Sequence, residues 1–345
     1  MSWAYSQEFK DILRIIGRGK KLQRDLTREE AYRAMQLILD GGASPTQIGG
    51  FMVTMRVKEE TADEIIGFTQ ASRERLRPFE VAMPNLVDFG FPYNGRSKRL
   101  QTGVVASMVL AASGVPVLLH GADNIPTKAG VATLNLLQAM GYPSSLPPQH
   151  VKQLVQQTHF GVLDLQHVLP QWTNLTPYRH HFGVRTFMNS VEKFLNPANA
   201  STHISGFFHG SYLIRMANAL PAERAWIVQG DEGMIDFRMG KRTRFYHAEG
   251  DEMVETVLDS TAYGFSETDA LDFPVDVQVH ADCLKRVLDG ELGTAFEQVA
   301  LTAGVLLWIL GRVASVPEGI DQARTLLMNG KTADLFTIPT LDNEG

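Results

Sequence analysis

Apolar positions recur with a helical period through the first 76 residues. In "DLTREEAYRAMQLILDGG", Ala31, Ala34, Met35, Leu37 and Ile38 form one stripe. Thr27 and Glu30 precede it in capping-box spacing, and Gly41-Gly42 stop it. "SPTQIGGFMVTMRVK" offers Ser44 as N-cap with Pro45 at the first helical position. "ETADEIIGFTQASRERL" repeats the capping box with Thr61 and Glu64. The joints are short, so the pattern predicts a compact helical bundle.

After Pro78 the pattern changes. "NLVDFG", "VPVLLHG", "AWIVQG" and "MIDFRMG" are short apolar runs that end in Gly or turn residues. Helical periods such as "TKAGVATLNLLQAMG" and "GSYLIRMANALPAE" lie between them. Strands alternating with helices predict a mostly parallel sheet covered on both faces. Residues 147–190 read as polar and helical, and the C-terminal third as helical. The fold class is therefore α/β: a small all-helical domain (residues 1–78 and 147–190) and a larger α/β domain (79–146 and 191–345) whose central sheet is flanked by helices. Ligands of open parallel sheets sit at the carboxyl ends of strands. Here those ends are Gly90 with its loop, His120-Gly121, and Gly230-Asp231-Glu232.

Composition narrows the classes. The 345 residues are 44% hydrophobic and 20% charged, enough for a core without staples. A single cysteine, Cys283, excludes an internal disulfide and a cysteine metal cluster, and fits a reducing cytoplasm. The N-terminus lacks the apolar stretch of a signal peptide, and "VALTAGVLLWILG" is too short for a bilayer. The expectation is a cytoplasmic protein with no membrane association. A net charge of −6 means that any polyanion must find a local basic patch.

Four stretches could carry chemistry. In "DFGFPYNGRSKRLQTG", Gly90 permits tight backbone, Arg96 and Arg99 offer forked donors and Lys98 a point charge, a composition that suits an anion or a solvated loop. In "HGADNIPTKAG", Thr127 and Lys128 stand at an expected helix start, either as a phosphate seat or, for Thr127, as a plain N-cap. In "TPYRHHFGVRTFMN", Arg179 could clamp a carboxylate or phosphate, while His180 and His181 point too far apart to share a metal. In "VQGDEGMIDFRMGKRTRFYH", Asp231, Glu232 and Asp236 could hold Mg²⁺. Arg238, Lys241, Arg242 and Arg244 beside Phe245 and Tyr246 suit single-stranded nucleic acid, or are the charged faces of a hairpin turning at Met239-Gly240.

The order of these pieces resembles the anthranilate phosphoribosyltransferase family. "LTREEAYRAMQLILDGGASPTQIGGFMVTMRVKEETADEIIGF" is similar to its helical domain, and "LVDFG…HG…TKAG", "RHHFGVRT", "LNPA", "IVQGDEG" and "VLDGELGTAFEQVALTAGVLL" follow in its order. The resemblance implies the two-domain fold shared with class II nucleoside phosphorylases, and a homodimer formed through the helical domain. It also implies Mg²⁺-assisted transfer of ribose 5-phosphate from phosphoribosyl pyrophosphate to anthranilate. The family's G-T-G-G-D-G pyrophosphate loop is replaced here by "FGFPYNGRSK". Its K-H-G-N-R becomes "LHGAD", keeping His120 and Gly121, and its S-S-K-S-G becomes "PTKAG", keeping Lys128 and Gly130. Its anthranilate-binding arginine falls on Arg179, and its Mg²⁺-binding Asp-Glu falls on Ile235-Asp236. The chain thus resembles a divergent branch of the family whose members are linked to nucleic-acid binding.

Two readings follow. In one, a homodimer binds nucleic acid or another polyanion in the former active-site cleft. Its anion contacts are Gly90, Arg96, Lys98, Arg99, His120, Gly121, Thr127 and Lys128, with Arg179 as a clamp and Arg238, Lys241, Arg242 and Arg244 as an outer patch. In the other, Lys128, Arg179, Asp231, Glu232 and Asp236 still serve a phosphoribosyl transferase with an altered acceptor, with Glu232 and Asp236 on Mg²⁺.

Overall fold

The computed structural model describes residues 7–19, 21–123, 125–207, 222–249 and 252–341. The helical period "GSYLIRMANALPAE" lies almost wholly outside them. Four helices open the chain: α1 (Gln7–Ile16), α2 (Arg28–Leu39), α3 (Pro45–Lys58) and α4 (Ala62–Arg73). Both predicted capping boxes form, Thr27 with Glu30 and Thr61 with Glu64, and Ser44 makes a third with Gln47. Glu64 also accepts hydrogen bonds from Leu26 N and Lys58 Nζ, each at 2.8 Å, so a single buried carboxylate ties three segments of the bundle. Gly67 lets α4 lie against α2, since a Cβ there would collide with Arg28 O.

The second layer is a seven-stranded sheet of order β3-β2-β1-β4-β5-β6-β7. Its strands are β1 (Val87–Gly90), β2 (Val117–Gly121), β3 (Phe160–Asp164), β4 (Thr202–Gly206), β5 (Arg224–Val228), β6 (Arg242–Glu249) and β7 (Glu252–Asp259). The first five in spatial order run parallel, and β6 and β7 are antiparallel. α5 (Thr102–Ala112) joins β1 to β2 and is buried almost all round, which is why its sequence has no polar face. α6 (Thr133–Met140) and α7 (Pro148–Thr158) lead into β3. α8 (Pro170–Thr173), α9 (Thr176–Phe182) and α10 (Met188–Val191) follow it. α11 (Val277–Leu288), α12 (Thr294–Ile309) and α13 (Val316–Met328) complete the described helices.

The structure corrects three sequence expectations. Residues 147–190 are not uniformly helical. α7 and β3 belong to the sheet layer, with β3 paired to β2 from Phe160 to Asp164. The helical bundle gains its second part from α9, which packs on α3, and α10, which packs on α4. "MIDFRMG" is not a strand. Met234, Ile235, Asp236 and Phe237 are all buried, and the backbone binds side chains of α12: Phe237 N to Thr302 at 3.3 Å, Phe237 O to Gln298 at 2.8 Å. The hairpin of this region is β6–β7 instead. The Met239-Gly240 turn exists, with Gly240 at φ 67°, but it leads from irregular backbone into β6.

Candidate functional site

Strand order reverses between β1 and β4, and the loops that follow β1 and β5 meet at the carboxyl end of the sheet, where Ser97 and Lys98 contact Glu232. A cleft of about 780 Å³ opens there, lined by Ser97, Lys98, Arg99, Lys128, Arg185, Asp231, Glu232 and Asp272.

The loop after β1 does hold an anion, and that anion is a side chain of the same protein. Glu232 accepts from Ser97 N at 2.9 and 3.1 Å, from Ser97 Oγ at 2.7 Å and from Lys98 N at 3.1 Å. Lys128 Nζ lies 3.0 Å away and Arg96 Nε 3.6 Å. Two successive amides aimed at one carboxylate form an anion nest. Burial works against the charged form, but the Ser97 donors and Lys128 outweigh it and hold the Glu232 carboxyl down at about 2. A carboxyl lowered on folding stabilises the folded state above its unfolded pKa, and that stabilisation fades as pH falls through the folded value. Glu232→Gln should therefore be less stable than the parent at neutral pH, with the gap closing between about pH 4.5 and 2. Chemical denaturation across that range checks it; a pH-independent gap contradicts the assignment.

Deeper in, Arg96 is 2% exposed. Its Nη1 meets Asp236 Oδ2 at 2.8 Å and Leu100 O at 3.0 Å, and the Thr102 hydroxyl donates to the other Asp236 oxygen. Gly95 (φ 69°) and Gly130 hold this loop in place: a Cβ at either would collide with the facing backbone, of Val131 and Ala132 or of Arg96. The Mg²⁺ implied by the family resemblance does not fit this donor set. Both Asp236 oxygens and both Glu232 oxygens have cationic or N–H/O–H donors, and Ile235 beside them is a buried hydrocarbon. Among the described residues no group of three or more His, Cys, Asp or Glu is arranged to hold a metal.

The other expected contacts are placed as follows. Arg99 pairs with Asp272 at 3.0 Å and lies 3.9 Å from Asp231. Lys98 is exposed on the cleft wall. Gly90 is buried under Lys193 O and Ser205 Oγ, where a side chain would collide, so it serves packing. Gly121 likewise faces Leu134. His120 is fully buried, with Nδ1 at 2.5 Å from the Tyr93 hydroxyl and Nε2 at 3.4 Å from Asp88. His203 Nδ1 reaches the same carboxylate at 2.7 Å. Burial opposes ionisation of Asp88, yet the two imidazoles hold it well below the usual carboxylate range. Thr127 starts no helix. Val131 bridges to Arg96, which keeps the chain extended until α6 begins at Thr133, and Lys128 bends to Gly95 O and Glu232. Burial lowers the Lys128 ammonium, and Glu232 only partly restores it.

Arg179 is buried, with Nη1 at 2.8 Å from a Glu192 oxygen that is itself wholly buried. As a clamp for an acceptor it has no exposed face. In the outer patch Arg238 pairs with Asp231 at 2.9 Å, Lys241 with Glu267, Arg242 with Asp259 at 3.0 Å and Arg244 with Glu255 at 3.3 Å. Arg242 and Asp259 are directly opposite in the β6–β7 ladder, which is cross-strand pairing of the kind that charged hairpin faces make. Sequence reading missed Ser97, Glu192 and Asp272. Their partners are not adjacent in sequence: Glu192 is 13 residues from Arg179, Asp272 is 173 from Arg99, and Ser97 is 135 from Glu232.

The helical bundle and the α/β layer are the two domains of a glycosyl transferase family. Residues 10–76 match the profile "Glycosyl transferase family, helical bundle domain", and 97–333, more than half of the chain, match "Glycosyl transferase family, a/b domain". The chain belongs to this family, that of the anthranilate phosphoribosyltransferases. It is 30% identical to the Thermus thermophilus anthranilate phosphoribosyltransferase over 315 residues, 89% of this chain and 92% of that one. It is 31% identical to the bifunctional protein TrpGD of Thermotoga maritima over 327 residues, 92% of this chain and 55% of that longer protein. The crystal structure of the Thermus enzyme superposes with a TM-score of 0.80 at 28% identity, covering 96% of this chain and 98% of that one. The Saccharomyces cerevisiae enzyme in complex with PRPP and Mg gives 0.82 at 16% identity over 96% and 97% of the two chains, a likeness of fold.

Proposed function

We propose that this anthranilate phosphoribosyltransferase-like chain has given up the Mg²⁺–phosphoribosyl pyrophosphate complex and uses the mouth of the cleft to bind single-stranded nucleic acid or a similar linear polyanion. The observation that carries this reading is the partition of charge. Inside the cleft Arg96, Arg99 and Lys128 are matched by Asp236, Asp272 and Glu232. On its wall Lys98 and Arg185 are exposed and take part in no ion pair among the described residues. The pairs of Arg242 and Arg244 are exposed, worth little in water, and open to exchange for backbone phosphates. A homodimer belongs to the same reading. The outer face of α3 carries Gly50, Val53 and Val57, with Val57 80% exposed, a small-apolar stripe suited to a second helix.

Fluorescence anisotropy with single-stranded oligonucleotides tests it. Affinity should fall with salt by a log–log slope of roughly −0.7 per phosphate contact. Replacing Lys98 and Arg185 together by Glu should weaken binding at least about tenfold and flatten that slope by about 1.4. Binding that ignores salt, or survives the double replacement unchanged, overturns the reading. The alternative is a working phosphoribosyl or glycosyl transferase with an altered acceptor. The relatives' names and the size of the cleft favour it, and it requires Asp236 and Glu232 to exchange their internal cations for Mg²⁺.

A further inference from the structure

We infer that the buried amine of Lys193 is a covalent site for a small carbonyl compound bearing a carboxylate, which it captures as an imine. The inference goes beyond polymer binding at the cleft mouth and does not depend on it.

Lys193 follows α10 on the way to β4 and is 5% exposed. Its Nζ donates to Gly206 O at 2.8 Å and stands 3.2 Å from the centroid of the Phe207 ring. Among the described residues it has no carboxylate partner, and the adjacent Glu192 is engaged by Arg179. The contrast within the same molecule is Lys58. Its side chain is equally buried, but Asp25 and Glu64 meet its Nζ at 2.6 and 2.8 Å. A buried ammonium without such a counter-charge is disfavoured against the neutral amine. Burial pushes Lys193 well below the ordinary lysine range; Glu192 opposes this, and Arg185 and Lys128 reinforce it. A neutral amine carries the lone pair that attacks a carbonyl carbon.

There is room beside the lone pair. Gly233 directly follows the cleft-lining Glu232, and its side-chain position is empty. A Cβ there would meet Gly206 O, Pro92 Cγ and Lys193 Nζ at 3.4, 3.6 and 3.7 Å, ordinary contact on every side. A carbonyl carbon at this place touches the amine. Arg185, exposed on the cleft lining and unpaired among the described residues, favours a carboxylate next to that carbonyl. A 2-oxo acid carries both groups. In the step the amine nitrogen adds to the carbonyl carbon. The carbonyl oxygen then leaves with the two amine protons as one water, and a C=N bond replaces C=O. Water reverses the step, and neither metal nor oxidant enters it.

The test treats the full parent chain with glyoxylate and sodium cyanoborohydride, which reduces the imine to a stable secondary amine, and maps the adducts by peptide mass spectrometry. Exposed Lys10 and Lys331 serve as internal references. Their neutral fraction, and with it their labelling, rises about tenfold per pH unit below the ordinary lysine pKa, while that of Lys193 is already high. The ratio of Lys193 to reference labelling should therefore exceed about ten near pH ~6.5 and fall as pH rises. An unlabelled Lys193, or a ratio that stays constant with pH, overturns the inference. Arg185→Gln should lower Lys193 labelling by glyoxylate about threefold or more and leave labelling by uncharged acetaldehyde unchanged. Undiminished labelling by glyoxylate in that variant overturns the choice of a carboxylate-bearing ligand. Oligonucleotide binding at the cleft mouth makes no use of Lys193, so failure of one reading leaves the other standing.

Discussion

Arg96→Met should lower the free energy of unfolding by about 3–5 kcal/mol, read from urea denaturation at neutral pH. The guanidinium is 2% exposed and its Nη1 is shared between Asp236 and Leu100 O. Methionine fills much of the volume but leaves Asp236, 1% exposed, with the Thr102 hydroxyl as its remaining donor among the described residues. A buried carboxylate that loses its cation is the expensive half of a broken pair. The double replacement Arg96→Met with Asp236→Leu should recover most of the loss, because neither charge is then stranded. A single-variant loss below about 1 kcal/mol would mean that Arg96 behaves as a surface ligand-binding residue, in conflict with its burial.

Arg179→Met is the second large effect, again about 3–5 kcal/mol, through the stranded Glu192. Arg179 Nη1 and Glu192 Oε2 are 2.8 Å apart, and among the described residues the second Glu192 oxygen and Arg179 Nη2 have no hydrogen-bond partner. Here the contrast between readings is direct. An acceptor clamp is free before the acceptor arrives, and its removal leaves the fold's stability almost untouched. A structural pair makes stability fall. Pairing Arg179→Met with Glu192→Leu should restore stability to within about 1.5 kcal/mol of the parent. If the single variant unfolds with the parent's midpoint, the pair has been misjudged.

Much of the fold could be read from the chain because its signals are local. Thr27 with Glu30 and Thr61 with Glu64 are caps written within three residues, and α2 and α4 begin where they say. β1, β2 and β5 are apolar runs closed by turn residues, the form that a buried parallel strand takes. β3 was hidden because Phe160–Asp164 is five residues set directly against α7, with only His159 in left-handed backbone to separate them. "MIDFRMG" looked like a strand because its residues are buried, but burial against α12 and pairing in a sheet give the same apolar run.

The site was legible in its cations and not in their partners. Arg96 stands in a loop of turn-forming residues, and a cation without a visible partner reads as one waiting for a ligand. Its partner Asp236 is 140 positions away. Glu232 was visible as an acid, and its seat on the amides of Ser97 and Lys98 was not, because backbone donors have no sequence signature. The anion that the loop after β1 suits is, in the resting chain, the Glu232 carboxylate of the same protein.

The account turns on that pairing: inside the cleft Arg96, Arg99 and Lys128 are matched by Asp236, Asp272 and Glu232. Isothermal titration of phosphoribosyl pyrophosphate with Mg²⁺ into the parent chain measures this most directly. The account predicts no saturable heat up to millimolar ligand. Saturable binding that requires Mg²⁺ would contradict it, since Arg96 would then have to leave Asp236 and Glu232 to leave its nest.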